Sequence, residues 1–105
     1  MSANGFGHLP DRSTLVLTSL AGGDKHGYAL IKDIESFTGS KLGPGTLYGT
    51  LARLEQEGLI VALPEVARRH PYRISEDGIK ALKVQLSSNM RLAEVGLARM
   101  GIERA

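Results

Sequence analysis

Seven apolar residues near the C-terminal end, Ile79, Leu82, Leu86, Met90, Ala93, Leu97 and Met100, follow one another at spacings of 3, 4, 4, 3, 4 and 3. The average lies close to the 3.5-residue repeat of a packed helical seam. It predicts one long helix running to about Met100. Ser75-Glu76-Asp77 would open it, with acids in the first turn that suit the positive end of the helix dipole. Such a helix, in a chain of 105 residues, has few other elements to cover its stripe. It needs a partner.

The rest of the chain reads as short elements cut by Gly and Pro. Residues 1–10 are polar, Gly-rich and end in Pro10, which predicts a flexible arm that includes Phe6 and His8. A first helix begins near Arg12, with Asp11 and Ser13 as alternative caps, a core of Leu15, Val16, Leu17 and Leu20, and a stop at Gly22-Gly23. A second runs through Tyr28 to Phe37. Its stripe is Leu30, Ile31, Ile34 and Phe37, with Lys32, Asp33, Glu35 and Ser36 toward water and Gly39 at its end. A third starts near Pro44, a residue favoured in the first helical turn, and closes at Gly58. Residues 59–63 and 72–75 then read as two short strands joined by a connection that carries Arg68-Arg69-His70. The order is α-α-α-β-β-α, a mainly α chain with a small β-hairpin.

Composition narrows the classes. One small core is affordable at 42% hydrophobic residues, which excludes a wholly disordered chain. The absence of Cys removes disulfides, thiolate metal sites and thiol nucleophiles. No run approaches the roughly 20 apolar residues of a membrane span, and residues 1–11 lack the basic-then-apolar pattern of a secretory signal, so a cytoplasmic location and no membrane partner are expected. The net charge of +2 is uninformative until it is divided. Residues 36–54 hold Lys41 and Arg53 with no acid, and residues 66–75 hold Arg68, Arg69 and Arg73 with no acid, so the remainder of the chain sums to −3. Segregation of this kind points to a polyanion.

At 100° per residue, Leu47, Leu51, Leu54 and Gly58 of the third helix share one arc, while Thr46, Gly49, Thr50 and Arg53 lie on the opposite one. Acids appear only in the last turn, at Glu55 and Glu57. A helix N-terminus supplies free N–H groups for phosphate, Thr can meet base edges, and Arg can reach guanine. On the pattern of this helix alone, an ordinary solvated face is the favoured reading. Three helices followed by a basic hairpin shift the balance toward a winged helix-turn-helix, whose recognition helix enters the major groove and whose wing reaches the flanking backbone or minor groove.

The stretches His26-Gly27-Tyr28-Ala29-Leu30-Ile31, Gly43-Pro44-Gly45-Thr46-Leu47-Tyr48, Leu51-Ala52-Arg53-Leu54-Glu55-Gln56-Glu57-Gly58-Leu59-Ile60 and Tyr72-Arg73-Ile74-Ser75-Glu76-Asp77-Gly78 occur in this order. Together they resemble the PadR family of bacterial transcriptional regulators, over about residues 14–85. The resemblance implies a winged-helix homodimer that represses transcription from double-stranded DNA and is released by a small-molecule effector. It implies that Pro44, Gly45, Thr46 and Tyr48 open the recognition helix, that Tyr28 meets phosphate, and that Arg68, Arg69 and His70 form the wing. Lys41, Gly49, Thr50 and Arg53 complete the expected DNA-binding set. The division that follows is an arm over residues 1–10, a DNA-binding domain over 11–75 and a dimerisation helix over 76–105, with Ile79 to Met100 as the seam.

Two departures stand out. Position 43 is Gly where the family often has Ser, which removes a capping hydroxyl. The wing, Arg68-Arg69-His70-Pro71, is short in basic residues. The short segment after about residue 85 fits the small subgroup of the family with a single dimerisation helix and leaves no separate effector domain.

Several residues keep two readings. Tyr48 lies at the edge of the core arc, either packed under the helix with its hydroxyl outward or in contact with DNA. Arg53 either meets DNA or makes an internal pair. Tyr72 reads as packing at the base of the wing. Asp24 and His26 have the spacing of a metal pair but no third ligand nearby in sequence. Leu86, Met90 and Ala93 could line an effector cleft, but plain dimer core is the favoured reading. No enzyme signature, metal site or cofactor motif is present. A winged-helix module that docks a protein without touching DNA is the alternative from another class.

Overall fold

A computed structural model of the chain describes residues 11–102. The expected arm over residues 1–10 lies outside the described residues, as do residues 103–105. The elements are α1 (Arg12–Ala21), α2 (Gly27–Thr38), α3 (Pro44–Gln56), β1 (Ile60–Ala62), β2 (Tyr72–Ile74) and α4 (Glu76–Arg99). This is the expected order and architecture, three helices, a hairpin and a long final helix.

Each boundary has a local cause. The Asp11 carboxylate caps α1 by accepting the Thr14 N–H at 3.3 Å, and Ser75 caps α4 by accepting the Gly78 N–H at 3.0 Å. Pro44 occupies the first turn of α3, and its cap, Gly43, offers no side chain. Gly39 and Gly58 follow α2 and α3 with φ of +76° and +78°, the left-handed backbone that ends many helices.

α1 is the central post. It touches α2, α3, β2 and α4, and its Leu15, Val16, Leu17 and Leu20 are all buried. Around it pack Leu30, Ile31 and Ile34 from α2, Leu47, Leu51 and Leu54 from α3, Ile60 from β1 and Leu82 from α4. Among the described residues, no buried side-chain nitrogen or oxygen lacks a hydrogen-bond partner.

Four expectations are corrected by this packing. Phe37 is 41% exposed. The buried set of α2 is Gly27, Leu30, Ile31, Ile34 and Thr38, and Phe37 falls about 20° beyond Leu30, the outer edge of that arc. Thr38 takes the inner position and donates its hydroxyl to Ile34 O at 2.8 Å. Asp33 does not simply face water. Its carboxylate accepts the Ser19 hydroxyl at 2.6 Å and lies 4.0 Å from Lys25 Nζ.

Thr50, expected on the outward face of α3, is 7% exposed. It lies about 60° from the Leu47 direction, within reach of the core, and its hydroxyl donates to Thr46 O at 2.9 Å. Leu82, expected in the outward seam of α4, is 7% exposed and belongs to the core cluster of this chain. The outward part of the seam starts beyond it.

The hairpin pairs Ile60 with Ile74, Val61 with Arg73 and Ala62 with Tyr72. Lys25 adds a third short arm, because it exchanges backbone hydrogen bonds with Tyr72 at 3.2 and 2.9 Å. At the tip Val66 and Arg69 exchange bonds at 2.8 and 3.0 Å. The two residues between them, Ala67 and Arg68, have φ of +53° and +67°, the mirror-image turn that fits hairpin twist.

Candidate nucleic-acid interface

Three elements meet at one open cleft of about 340 Å³. His26, Gly27 and Tyr28 come from the start of α2, Tyr48 from the first turns of α3, Tyr72 from β2, and Arg68, Arg69 and His70 from the wing. The α1–α2 connection positions them, since Lys25 pairs with Tyr72 while the next residue caps α2. His26 Nδ1 accepts the Ala29 N–H at 3.4 Å.

Gly27 explains how Tyr48 fits. A Cβ on Gly27 would stand 2.1 Å from Tyr48 Oη, so only glycine leaves room for the phenol over the start of α2. Tyr48 remains 51% exposed. The hydroxyl is seated against α2 rather than turned outward as the packed reading had it, and the ring lines the cleft. Tyr28 beside it is 62% exposed. Burial, aided by the Glu55 carboxylate and by Tyr48, pushes the Tyr72 phenol above its ordinary range, so it stays a neutral hydroxyl at physiological pH.

Pro44, Gly45, Thr46 and Gly49 are exposed, and a Cβ on Gly45 or Gly49 would meet nothing. A phosphodiester backbone can approach such a surface closely. Lys41 is exposed on the α2–α3 connection, outside the cleft. Arg53 points elsewhere: its Nη2 donates to Ser13 Oγ at 2.5 Å, and its Nη1 lies 4.0 Å from Glu57. Of the two readings for this residue, the internal contact is the one formed.

The positive charge of the wing region is unevenly available. Arg73 holds Asp24 in a two-pronged contact, Nε to Oδ1 at 3.1 Å and Nη2 to Oδ2 at 2.8 Å. The hydrogen bond from Arg73 keeps the Asp24 carboxyl below its ordinary range. This pair ties β2 to the α1–α2 connection and neutralises one of the arginines counted as basic surface. His70 Nε2 lies 3.5 Å from Glu65 Oε1. Among the described residues, Lys41, Arg68 and Arg69 have no acidic partner. They are the three of the five cations in the acid-free windows 36–54 and 66–75 that remain available to a polyanion.

Sequence reasoning missed His26 and Gly27 as members of the cleft and the Asp24–Arg73 contact, and it gave Arg53 an internal pair without naming Ser13 as the partner. Only His26 carried a readable signal, a polar side chain directly before the helical pattern of α2.

Comparison with known proteins fits this geometry. The model of the transcriptional regulator PadR-like family matches residues 16–84. An uncharacterized 37.1 kDa protein from a Streptomyces fradiae transposon is 43% identical over 83 residues, 79% of this chain and 24% of that protein. The Escherichia coli transcriptional regulator YqjI is 35% identical over 80 residues, 74% of this chain and 38% of YqjI. The chain thus spans well under half the length of either relative. A transcriptional regulator from Clostridium thermocellum shares the fold with a TM-score of 0.72 at 32% identity, over 84% of this chain and 90% of that one. Family and fold are those of transcriptional regulators, not of enzymes. With its winged-helix architecture and a family match over 16–84, the chain belongs to the PadR-like family of transcriptional regulators.

Proposed function

We propose that the chain is a sequence-specific DNA-binding regulator that acts as a homodimer on a pseudo-palindromic operator and represses transcription until a small ligand releases it. The observation that carries this reading is the convergence of the α3 start, the α2 start and the unpaired wing arginines on one surface. Pro44, Gly45, Thr46, Tyr48 and Gly49 would enter the major groove, with Tyr28, Lys41, Arg68, Arg69 and His70 on the flanking backbone. Arg53 would act from behind, by holding α3 to α1 through Ser13.

Dimerisation rests on α4. Beyond Leu82 it leaves Leu86, Met90 and Met100 exposed, together with Ala93 and the half-buried Leu97, and Ile79 precedes them in the first turn. Two such stripes packed together would place two recognition helices about one turn of DNA apart. The ligand response rests on the family resemblance, and Leu86, Met90 and Ala93 serve as seam core in this reading. Among the described residues, no helix is long and apolar enough to cross a membrane.

The test is a mobility-shift assay on the best site found by genome-wide occupancy mapping, at fixed salt. Thr46→Ala with Tyr48→Ala should weaken binding, and Arg68→Gln with Arg69→Gln should flatten its salt dependence, because fewer counterions are released. A module that docks protein through the same face would show no steep loss of affinity with salt and no occupied sites.

A further inference from the structure

The two contacts of the His26 ring, to Ala29 and to Arg69, cannot both be hydrogen bonds of one neutral imidazole. A neutral imidazole has one N–H and one acceptor nitrogen. His26 Nδ1 accepts the Ala29 N–H at 3.4 Å, which leaves the hydrogen on Nε2. That nitrogen lies 3.2 Å from Arg69 Nη1, and a guanidinium offers only donors. With the α2 cap formed, two donors converge on the wall of the cleft, 43 positions apart in sequence. An anionic oxygen with several lone pairs satisfies both.

From this juxtaposition we propose that the cleft between the start of α2 and the wing seats one backbone phosphate of the DNA duplex, held by the Arg69 guanidinium and by the Nε2–H of a neutral His26. The seat rests on the DNA-binding reading above and adds a contact residue to it. The α2 cap selects the tautomer: as long as Nδ1 accepts from Ala29, Nε2–H is presented to the cleft. Tyr28 and Tyr48 flank the seat, and Arg68 and His70 extend it along the wing. His26 thus contributes direction without charge, and Arg69 contributes the charge.

That division gives the two residues different signatures on a short mixed-sequence duplex, since phosphate contacts are independent of sequence. In His26→Asn the asparagine is itself a good N-cap, so α2 keeps its start, but its side chain is too short to reach the phosphate as well. Affinity should fall roughly fivefold to twentyfold, while the slope of log K against log salt between about 50 and 200 mM stays that of wild type. In Arg69→Gln the slope itself should fall by about 0.9. Nitrogen-15 NMR of the wild-type imidazole should show the Nε2–H tautomer, and its Nε2 signal should move when duplex is added.

Unchanged affinity of His26→Asn, a salt slope that drops in that variant as it does in Arg69→Gln, or an Nδ1–H tautomer would each overturn the seat while leaving DNA binding intact. Inorganic phosphate alone moving the His26 signal as far as duplex does would reduce the cleft to a free-anion site and overturn it too. A wild-type protein that binds no duplex at low salt would remove the regulator reading itself, and the seat with it.

Discussion

The winged-helix half and the outer part of α4 use the same kinds of side chain to opposite ends. Leu30, Ile34, Leu47 and Leu54 are fully buried around α1, whereas Met90 is 59%, Leu92 72% and Met100 67% exposed. In the first half every apolar stripe meets another. Beyond Leu82 no residue of α4 joins the core cluster, although most helical stability comes from packing of an amphipathic face. Local periodicity is therefore enough to make a helix amphipathic, but the partner decides whether its stripe is a core or a surface. Val84, Leu92 and Val95 sharpen the point. They are exposed apolar residues on the side of α4 away from the expected seam, so the helix is apolar on more than one face.

The same truncation in the two regions should separate them most sharply. Leu47→Ala should cost about 2–5 kcal/mol of unfolding free energy, the range for a fully buried leucine. Met90→Ala should change the stability of dilute protein by less than about 0.5 kcal/mol. Denaturant titrations of both variants check this, and a large Met90 effect at low concentration would mean that the two regions do not differ as described.

Gly78 joins the halves. A Cβ there would stand 2.1 Å from Leu59 O and 2.7 Å from Ile74, so α4 can dock only without a side chain at that point. Gly78→Ala should destabilise by about 2 kcal/mol, the cost of overpacking less the gain in helix propensity. Thermal unfolding should then show α4 loosening from the wing before the rest.

Met90→Glu with Leu97→Glu tests the outer half on its own terms. Wild-type protein should sediment as a dimer and gain thermal stability with concentration. The double variant should sediment as a monomer, with its winged-helix half still folded and its operator affinity reduced by at least tenfold, because one protomer presents only one half-site.

The smallest effect belongs to the exposed Asp24–Arg73 pair. Asp24 has a folded pKa below its ordinary value, owing chiefly to the Arg73 hydrogen bond. The pair therefore stabilises the fold at neutral pH, and the contribution disappears as pH falls through the folded value, below the ordinary carboxylate range. Asp24→Asn should remove that acid-side loss and lower stability only slightly near pH 7, as expected for a solvated ion pair. Acid titration of unfolding, wild type against variant, reads it directly.

Much of the fold was legible because its signals are local. The stop at Gly58, Pro44 in the first turn of α3 and the Ser75 cap each act within about one helical turn. The errors came where an arc had an edge: Phe37, Thr50 and Leu82 sit on boundaries that periodicity cannot assign without the neighbouring element. The charge pattern was legible as a region and not as a set of partners. Arg73 looked like free basic surface until Asp24 was placed beside it.

By itself, then, the amino-acid sequence determined the helices, the hairpin, their order and the amphipathic character of α4, since capping, turn chemistry and periodicity operate between neighbouring residues. Only the tertiary structure decided which polar groups meet. The Ser13–Arg53, His26–Arg69 and Asp24–Arg73 contacts span 40, 43 and 49 positions. No local rule reaches that far, because such contacts exist only once a packed core has fixed the elements that carry them.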